Sequence, residues 1–401
     1  MNAPVTSAEF KKQHLIDPEI CIRCNTCEAT CPVGAVTHND ANYVVDAEKC
    51  NYCMDCIAPC PTGSIDNWRV VKTVYSIDDQ FTWSELPTQD DLGESASDAV
   101  QALEADIETL LATAHAGMGG KPVAPASASE PSVNLFRRDK PALATVQGNF
   151  RITAEDTESD VRHIVLGFGD TILPVLEGQS IGIIPPGTRP DGRPHDVRLY
   201  SIASARDGEK RNANNVSLTI KRVPGGIGSS YMCDLKPGDK VQVTGPFGAT
   251  FLMPNDPNAH IIMICTGTGS APFRAFTERR RRAMPGAGGR MLLFFGARTP
   301  QELPYFGPLQ KVPDSLLEKH LVFSRVAGER KEYVQDRMRT KIESVARVLG
   351  EPTTHIFICG LKGMETGVDE ALADICRQTG REWAALKPDM RASGRYHVET
   401  Y

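Results

Sequence analysis

The stretch Cys21-Ile-Arg-Cys24-Asn-Thr-Cys27-Glu-Ala-Thr-Cys31-Pro32 returns as Cys50-Asn-Tyr-Cys53-Met-Asp-Cys56-Ile-Ala-Pro-Cys60-Pro61, at a constant offset of 29 residues. Each copy is followed by a glycine and a short apolar run, Gly34-Ala35-Val36 and Gly63-Ser64-Ile65. Residues 20–68 therefore predict a compact two-fold module of short strands and helices that ends near Val71. Eight of the twelve cysteines lie in this repeat, while Cys233, Cys265, Cys359 and Cys376 are scattered and read as core or strand residues.

Working outward, a chain of 401 residues has room for two to three domains with their own cores. With 44 Lys and Arg against 50 Asp and Glu, the net charge of -6 offers no basic field for a phosphate backbone, so nucleic acid is excluded as a partner. Met1 to Gln13 lacks an apolar signal core, and runs such as Ile261 to Cys265 fall far short of the ~20 residues a membrane span needs. These features predict a cytoplasmic protein with no membrane partner. A reducing cytosol keeps thiols free, which sets aside a disulfide reading of the cysteine repeat.

Three thiols at every third position, with a fourth followed by Pro, is the spacing that holds a [4Fe-4S] cube, the fourth corner being exchanged between repeats. Cys21, Cys24 and Cys27 are thus expected to share one cluster with Cys60, and Cys50, Cys53 and Cys56 the other with Cys31. Structural zinc draws two close cysteine pairs from separated segments, and a third Cys three residues on would be redundant. The segment resembles the bacterial two-cluster ferredoxins, with both arms of their motif complete, and so reads as a one-electron relay.

Between Thr73 and Gly120 there is no Lys or Arg, and acids recur throughout. Within this acidic connector Val100, Leu103, Ile107, Leu110 and Leu111 follow helical spacing, with Ser95 and Asp98 placed to cap the start. Ala112 to Pro131, rich in Ala, Gly, Pro and Ser, reads as a flexible linker that lets the cysteine module swing. Beyond it, Val161 to Leu166, Ser180 to Ile184, Val197 to Ile202, Val216 to Arg222 and Lys240 to Thr244 predict a small antiparallel barrel. His260 to Cys265, Met291 to Gly296, His320 to Val326 and His355 to Cys359 then predict a parallel α/β sheet, whose first helix opens at Pro272. The expected division is 1–72, 73–132, 133–256 and 257–401. The fold class is multidomain α+β: a two-cluster module, an antiparallel barrel and a parallel α/β sheet.

Arg198-Leu-Tyr200-Ser201 places a cation, an aromatic ring and a hydroxyl on one strand. Gly225-Gly-Ile-Gly-Ser-Ser230 and Thr266-Gly-Thr-Gly-Ser-Ala-Pro272 are Gly-rich turns before helices, where backbone N–H groups cradle phosphates, so two successive domains suggest two dinucleotides. Over residues 140–401 the chain resembles the plant-type ferredoxin–NADP reductase family. The resemblance rests on RLYSIAS at 198–204, CDLKPGD at 233–239, GPFG at 245–248, CTGTGSAPFRAF at 265–276, FFGAR at 294–298, KEYVQDRM at 331–338, CGLKGME at 359–365 and VETY at 398–401.

That resemblance implies an FAD-binding barrel and an NADP-binding sheet, with hydride passing from nicotinamide to flavin. It implies that Arg198, with Leu199 and Lys221 beside the site, neutralises the FAD diphosphate, that Tyr200 stacks on the flavin and that Ser201 bonds near its N5. Gly226, Ile227, Gly228 and Ser229 would hold the diphosphate from the other side. Thr268, with Gly360 and Leu361, would meet NADP, whose 2′-phosphate would fall among Ser324, Arg325, Lys331, Tyr333 and Gln335. The first acid after Ser324 is Glu329, five residues on, so NADPH is expected rather than NADH. Tyr401 would lie over the flavin face and swing away, with Cys359 and Glu399 beside the nicotinamide. Ser201, Cys359, Glu399 and Tyr401 are the candidate catalytic residues.

Two positions depart from the family pattern: Gly228 stands where Cys is common, and Thr400 where an apolar residue is. The run Arg279 to Arg282 reads as a solvated helix face, with a docking patch for an acidic partner as the alternative. The fusion order resembles the reductase components of benzoyl-CoA oxygenase systems. This implies a separate di-iron benzoyl-CoA epoxidase as electron acceptor, in aerobic benzoyl-CoA breakdown. A stand-alone ferredoxin–NADP oxidoreductase and an electron-transfer subunit of a larger complex are the alternatives.

Overall fold

The computed structural model describes residues 11–53, 55–57, 60–65, 67–71, 73–87, 107–115, 117, 122–189, 192–284 and 286–401. In the cysteine module, β1 (Lys11–Leu15) pairs with β4 (Asn67–Val71), and β2 (Val36–His38) with β3 (Tyr43–Val45), both antiparallel. The sequence repeat is also a repeat of backbone geometry. Asp17 N–H donates to Ser64 O at 2.8 Å and Asp46 N–H to Ala35 O at 2.7 Å, so each copy closes on the other. Arg23 and Tyr52, equivalent in the two loops, both take a left-handed backbone, with φ of 54° and 59°. Such loops turn successive thiols inward around a common centre. The short helix α1 (Thr26–Thr30) carries Cys27 into the core.

The acidic stretch opens with α2 (Ile77–Phe81), capped by a Ser76–Asp79 box. Gln80 exchanges two hydrogen bonds with the Val45 backbone at 3.2 and 3.0 Å, so residues 73–87 pack on the cysteine module. Residues 107–114 form helix α3, where Ile107, Leu110 and Leu111 lie; Ser95, Asp98, Val100 and Leu103 fall outside the described residues. The reading of a freely swinging linker is corrected over 122–132. Ser127 Oγ accepts from Asp256 N–H at 3.3 Å, and Ser129 Oγ accepts from Asn255 Nδ2 at 2.7 Å and Arg206 at 3.1 Å. Linker-like composition hid two hydroxyls that tie this segment to the reductase half.

Six strands make the barrel: β5 (Ala142–Arg151), β6 (Val161–Gly167), β7 (Ser180–Ile183), β8 (Arg198–Ser201), β9 (Asn215–Lys221) and β10 (Lys240–Phe247). Their order is β8-β7-β10-β5-β6-β9, every pairing is antiparallel, and a bridge between Ile202 and Leu218 closes the ring. The sequence expectation omitted β5. Its inward residues include Ala142 and Ala144, too small to give a strong alternating signal, while Leu143 points out.

The parallel sheet comprises β11 (His260–Thr266), β12 (Met291–Ala297), β13 (Glu318–Phe323), β14 (Thr354–Gly360) and β15 (Tyr396–Thr400), in the order β13-β12-β11-β14-β15. The chain runs outward from β11 in one direction, then returns to lay β14 on its other side. The order reverses between β11 and β14, which puts the ligand crevice at the carboxyl ends of those strands. The edge strand β15 was not expected from the sequence, yet its register sets Glu399 beside Cys359.

Helix α5 (Ala271–Ala283) starts in that crevice, with proline in its first turn. Its Arg279 to Arg282 run is neither a solvated face nor a docking patch. Arg280 is 1% exposed and donates to Pro257 O and Ala259 O, and Arg282 donates to Asp207 and Gly208 O of the barrel. Arg281 is the member that reaches solvent.

Candidate functional site

In the cysteine module burial pushes the Cys27 thiol up to about 11, and the neighbouring Cys60 and Cys21 add to the rise. Burial likewise raises Cys56, followed by Cys50, Cys53 and Cys31. The thiols thus fall into the two sets expected from the exchanged fourth corner. A small cavity is lined by Cys31, Cys50, Cys53 and Cys56 together. Burial alone would raise Cys60 too, but Ser64 Oγ at 3.4 Å and backbone N–H groups bring it below the usual thiol range. Buried thiols grouped in fours become stable thiolates where iron supplies positive charge, so the donor sets fit two clusters.

At the barrel edge, β8 sets Ser201 opposite Ser180, hydroxyl to hydroxyl at 3.5 Å, while Arg198 extends into solvent. Leu199 and Tyr200 are half-buried between them, and Lys221 is exposed at the end of β9. Helix α4 (Ile227–Asp234) begins against this strand. A Cβ at Gly228 would stand 2.7 Å from Arg198 Cγ and 3.4 Å from Tyr200 Oη. Ser229 Oγ accepts from Val223 N–H at 3.1 Å and closes its own turn beside Gly226, and Ile227 is exposed.

Glu399 reaches this edge from β15. It is 8% exposed, it accepts a hydrogen bond from Ser201, and its Oε2 has no protein partner. Burial pushes its carboxyl up to about 7. A buried carboxylate oxygen without a protein partner beside Ser201 is a polar position that a bound flavin fits. Cys359, in register with both Glu399 and Cys265, is buried at the strand ends.

The second Gly-rich turn is a 3-10 turn over Gly267–Ser270, joining β11 to α5. Gly267 has φ of +55°, and a Cβ at Gly269 would stand 2.2 Å from Cys359 O, so glycine lets the turn press onto β14. Such a turn presents free N–H groups to an anion. Thr268 Oγ1 lies 2.7 Å from Tyr401 Oη, and Tyr401 N–H donates to Gly360 O at 3.0 Å. Tyr401 is thereby anchored to the phosphate turn itself, with Leu361 exposed beside it. Ser324 and Arg325 leave β13 at the same carboxyl end of the sheet, and Arg325 N–H donates to Arg298 O at 2.7 Å. Lys331 Nζ stands 4.9 Å from the centroid of the exposed Tyr333 ring, and Gln335 follows in the first turn of α6 (Val334–Thr340).

The structure therefore gathers Ser201, Cys359, Glu399 and Tyr401 at one crevice between barrel and sheet. Ser180, which no motif marks, is part of it; only the β7–β8 register could have found it.

Residues 13–74 match the 4Fe-4S dicluster domain family, 158–251 the oxidoreductase FAD-binding domain and 263–370 the oxidoreductase NAD-binding domain. The chain is 39% identical over 287 residues to the cyanelle ferredoxin–NADP reductase of Cyanophora paradoxa, covering 67% of this chain and 79% of that one. It is 37% identical to a ferredoxin–NADP reductase of Thermosynechococcus vestitus, covering 76% of this chain and 84% of the relative. Among solved structures it is similar to the ferredoxin–NADP+ reductase of Plasmodium falciparum, in the form of a point mutant with 2′P-AMP. There the TM-score is 0.54 at 25% identity, over 67% of this chain and 98% of that one.

Proposed function

Because this chain belongs to the ferredoxin–NADP reductase family and carries FAD, NAD(P) and two-cluster iron–sulfur domains, we propose that it moves electrons from NADPH through FAD to its own clusters and on to a separate oxygenase. FAD when bound accepts a hydride and releases electrons singly, which matches a two-electron donor to one-electron clusters. The chain's own residues have distinct tasks. Arg198 offsets diphosphate charge, the Tyr200 ring offers a flat apolar face, and Ser229 with the N–H groups of the 226–228 turn closes the other side. Glu399, pushed up to about 7, holds or releases a proton at Oε2 near neutral pH, and Ser201 carries the hydrogen bond between that carboxyl and the flavin side. Ser324, Arg325, Lys331, Tyr333 and Gln335 meet the 2′-phosphate. Tyr401 must give up Thr268 before a dinucleotide takes the turn. Eight thiolates hold the two clusters.

The acceptor we infer is a di-iron benzoyl-CoA epoxidase, supported by the fusion of a two-cluster module ahead of a plant-type reductase. The observation that carries the general reading is Glu399 of the sheet meeting Ser201 of the barrel at the crevice. An extract depleted of this protein tests the acceptor. Adding the protein back is expected to restore NADPH-driven oxygen uptake only with benzoyl-CoA. Steady NADPH oxidation indifferent to benzoyl-CoA would favour a general ferredoxin–NADP reductase, a reading supported by the relatives of that name.

A further inference from the structure

Hydride transfer needs the nicotinamide and flavin sites held in fixed register, and these sites lie on separate sheets. One network that joins the sheets is built around Arg274, in the first turn of α5, just past the phosphate turn. Its guanidinium donates to Ala203 O at 2.8 Å, two residues from Ser201, and grips Glu209 with both terminal nitrogens at 3.1 and 2.5 Å.

The same cluster takes in Tyr305, whose ring centroid lies 5.4 Å from the guanidinium carbon. Tyr305 has φ of 64°, a left-handed backbone that side chains rarely adopt, and this turns its hydroxyl into the barrel. There Tyr305 Oη meets His163 Nδ1 at 2.8 Å on β6 and Thr219 Oγ1 at 2.6 Å on β9. His163 Nε2 also stands 3.2 Å from Glu209. Burial alone would raise the Glu209 carboxyl, but His163 and Arg274 pull it down to about 2. Arg274 and Tyr305 come from the sheet domain; Ala203, Glu209, His163 and Thr219 come from the barrel. None belongs to the dinucleotide contacts described above.

We propose that Arg274, acting through Ala203 O and Glu209, is a positioning residue for hydride transfer, locking the helix of the nicotinamide-side turn to the strand that carries Tyr200 and Ser201. The planar fork makes this a directional clamp rather than a point attraction, so a lysine keeps the charge but loses the geometry. The proposal rests on the reductase reading above.

The test is anaerobic rapid mixing of full-length holoprotein with NADPH. It reads the limiting rate of flavin bleaching, the NADPH dissociation constant and the long-wavelength absorbance of nicotinamide–flavin contact. Arg274→Met is expected to lower the limiting rate by about 10²-fold, the scale of an ångström of misplacement, and to abolish the contact absorbance. FAD content and NADPH affinity should hold, and Arg274→Lys should fall between. If Arg274→Met fails to fold, Glu209→Gln, which keeps shape and one acceptor oxygen, is expected to show a smaller drop of the same kind. An unchanged rate, a loss matched by lost FAD, or weakened NADPH binding with the limiting rate intact would each overturn the proposal. Failure of the reductase reading itself would show separately, as wild-type flavin that NADPH does not bleach.

Discussion

Among the described residues, the buried cluster of the cysteine module has nine members, two of them thiols, whereas the barrel cluster has eighteen and the two faces of the parallel sheet have twenty-two and fourteen. A module this small cannot bury enough apolar surface to stand alone and needs a metal or another tether. The reductase half has interiors of ordinary size, and its cofactor crevice is a gap left between them. In one half the cofactor is the core; in the other it is a guest.

The largest expected effect follows from that contrast. Cys56→Ser removes a buried corner thiol, and the cysteine module is expected to lose iron and order together, with electron delivery to a one-electron acceptor abolished. NADPH should still bleach the flavin of the same protein. Iron content, flavin bleaching and acceptor reduction measured side by side would contradict this independence of the two halves if the flavin site were lost too.

A second, intermediate effect concerns pH. Burial holds His355 down to about 4 and His397 down to about 3, at the inner end of β14 and on β15. An unfolded histidine takes up its proton near 6.5. The unfolded chain therefore binds more protons below that pH, and the reductase half should lose stability as pH falls from about 6.5 through about 3, on the order of a few kcal/mol. Denaturant midpoints across that window, compared with His397→Gln, sharpen the contrast. The variant should show a shallower slope.

The smallest effect lies at the junction. Glu130 of the linker segment pairs with Arg69 of the cysteine module at 2.9 Å, but Glu130 is largely exposed, so the pair contributes no more than about 1 kcal/mol. Cys60 opens onto a groove shared with Ala283 and Met284, at the far end of α5 from the phosphate turn. Thirteen residues of helix place these ends ~20 Å apart. Glu130→Ala is expected to loosen this resting contact and hasten proteolysis within 122–132, leaving flavin bleaching unchanged.

What could be read from sequence follows the same division. Cluster ligands sit on two local loops, so spacing alone places them, and the Gly-rich turns are equally local. Arg282 finds Asp207 across 75 positions of chain, and Glu399 finds Ser201 across the domain crevice. No local pattern marks such partners, which is why four arginines in a row read as a solvated face. Strand β5 was missed because alanines line its inner side, and β15 because its signal sits in five residues at the sheet edge.

On this reading electrons pass from the crevice to the cysteine module within one chain. The most direct measurement mixes NADPH anaerobically with holoprotein and follows flavin absorbance and the iron–sulfur signal together. Flavin bleaching first, with cluster reduction following at a rate independent of protein concentration, is the expected result. Clusters that stay oxidised beside a reduced flavin, or that are reduced only in proportion to protein concentration, would contradict it.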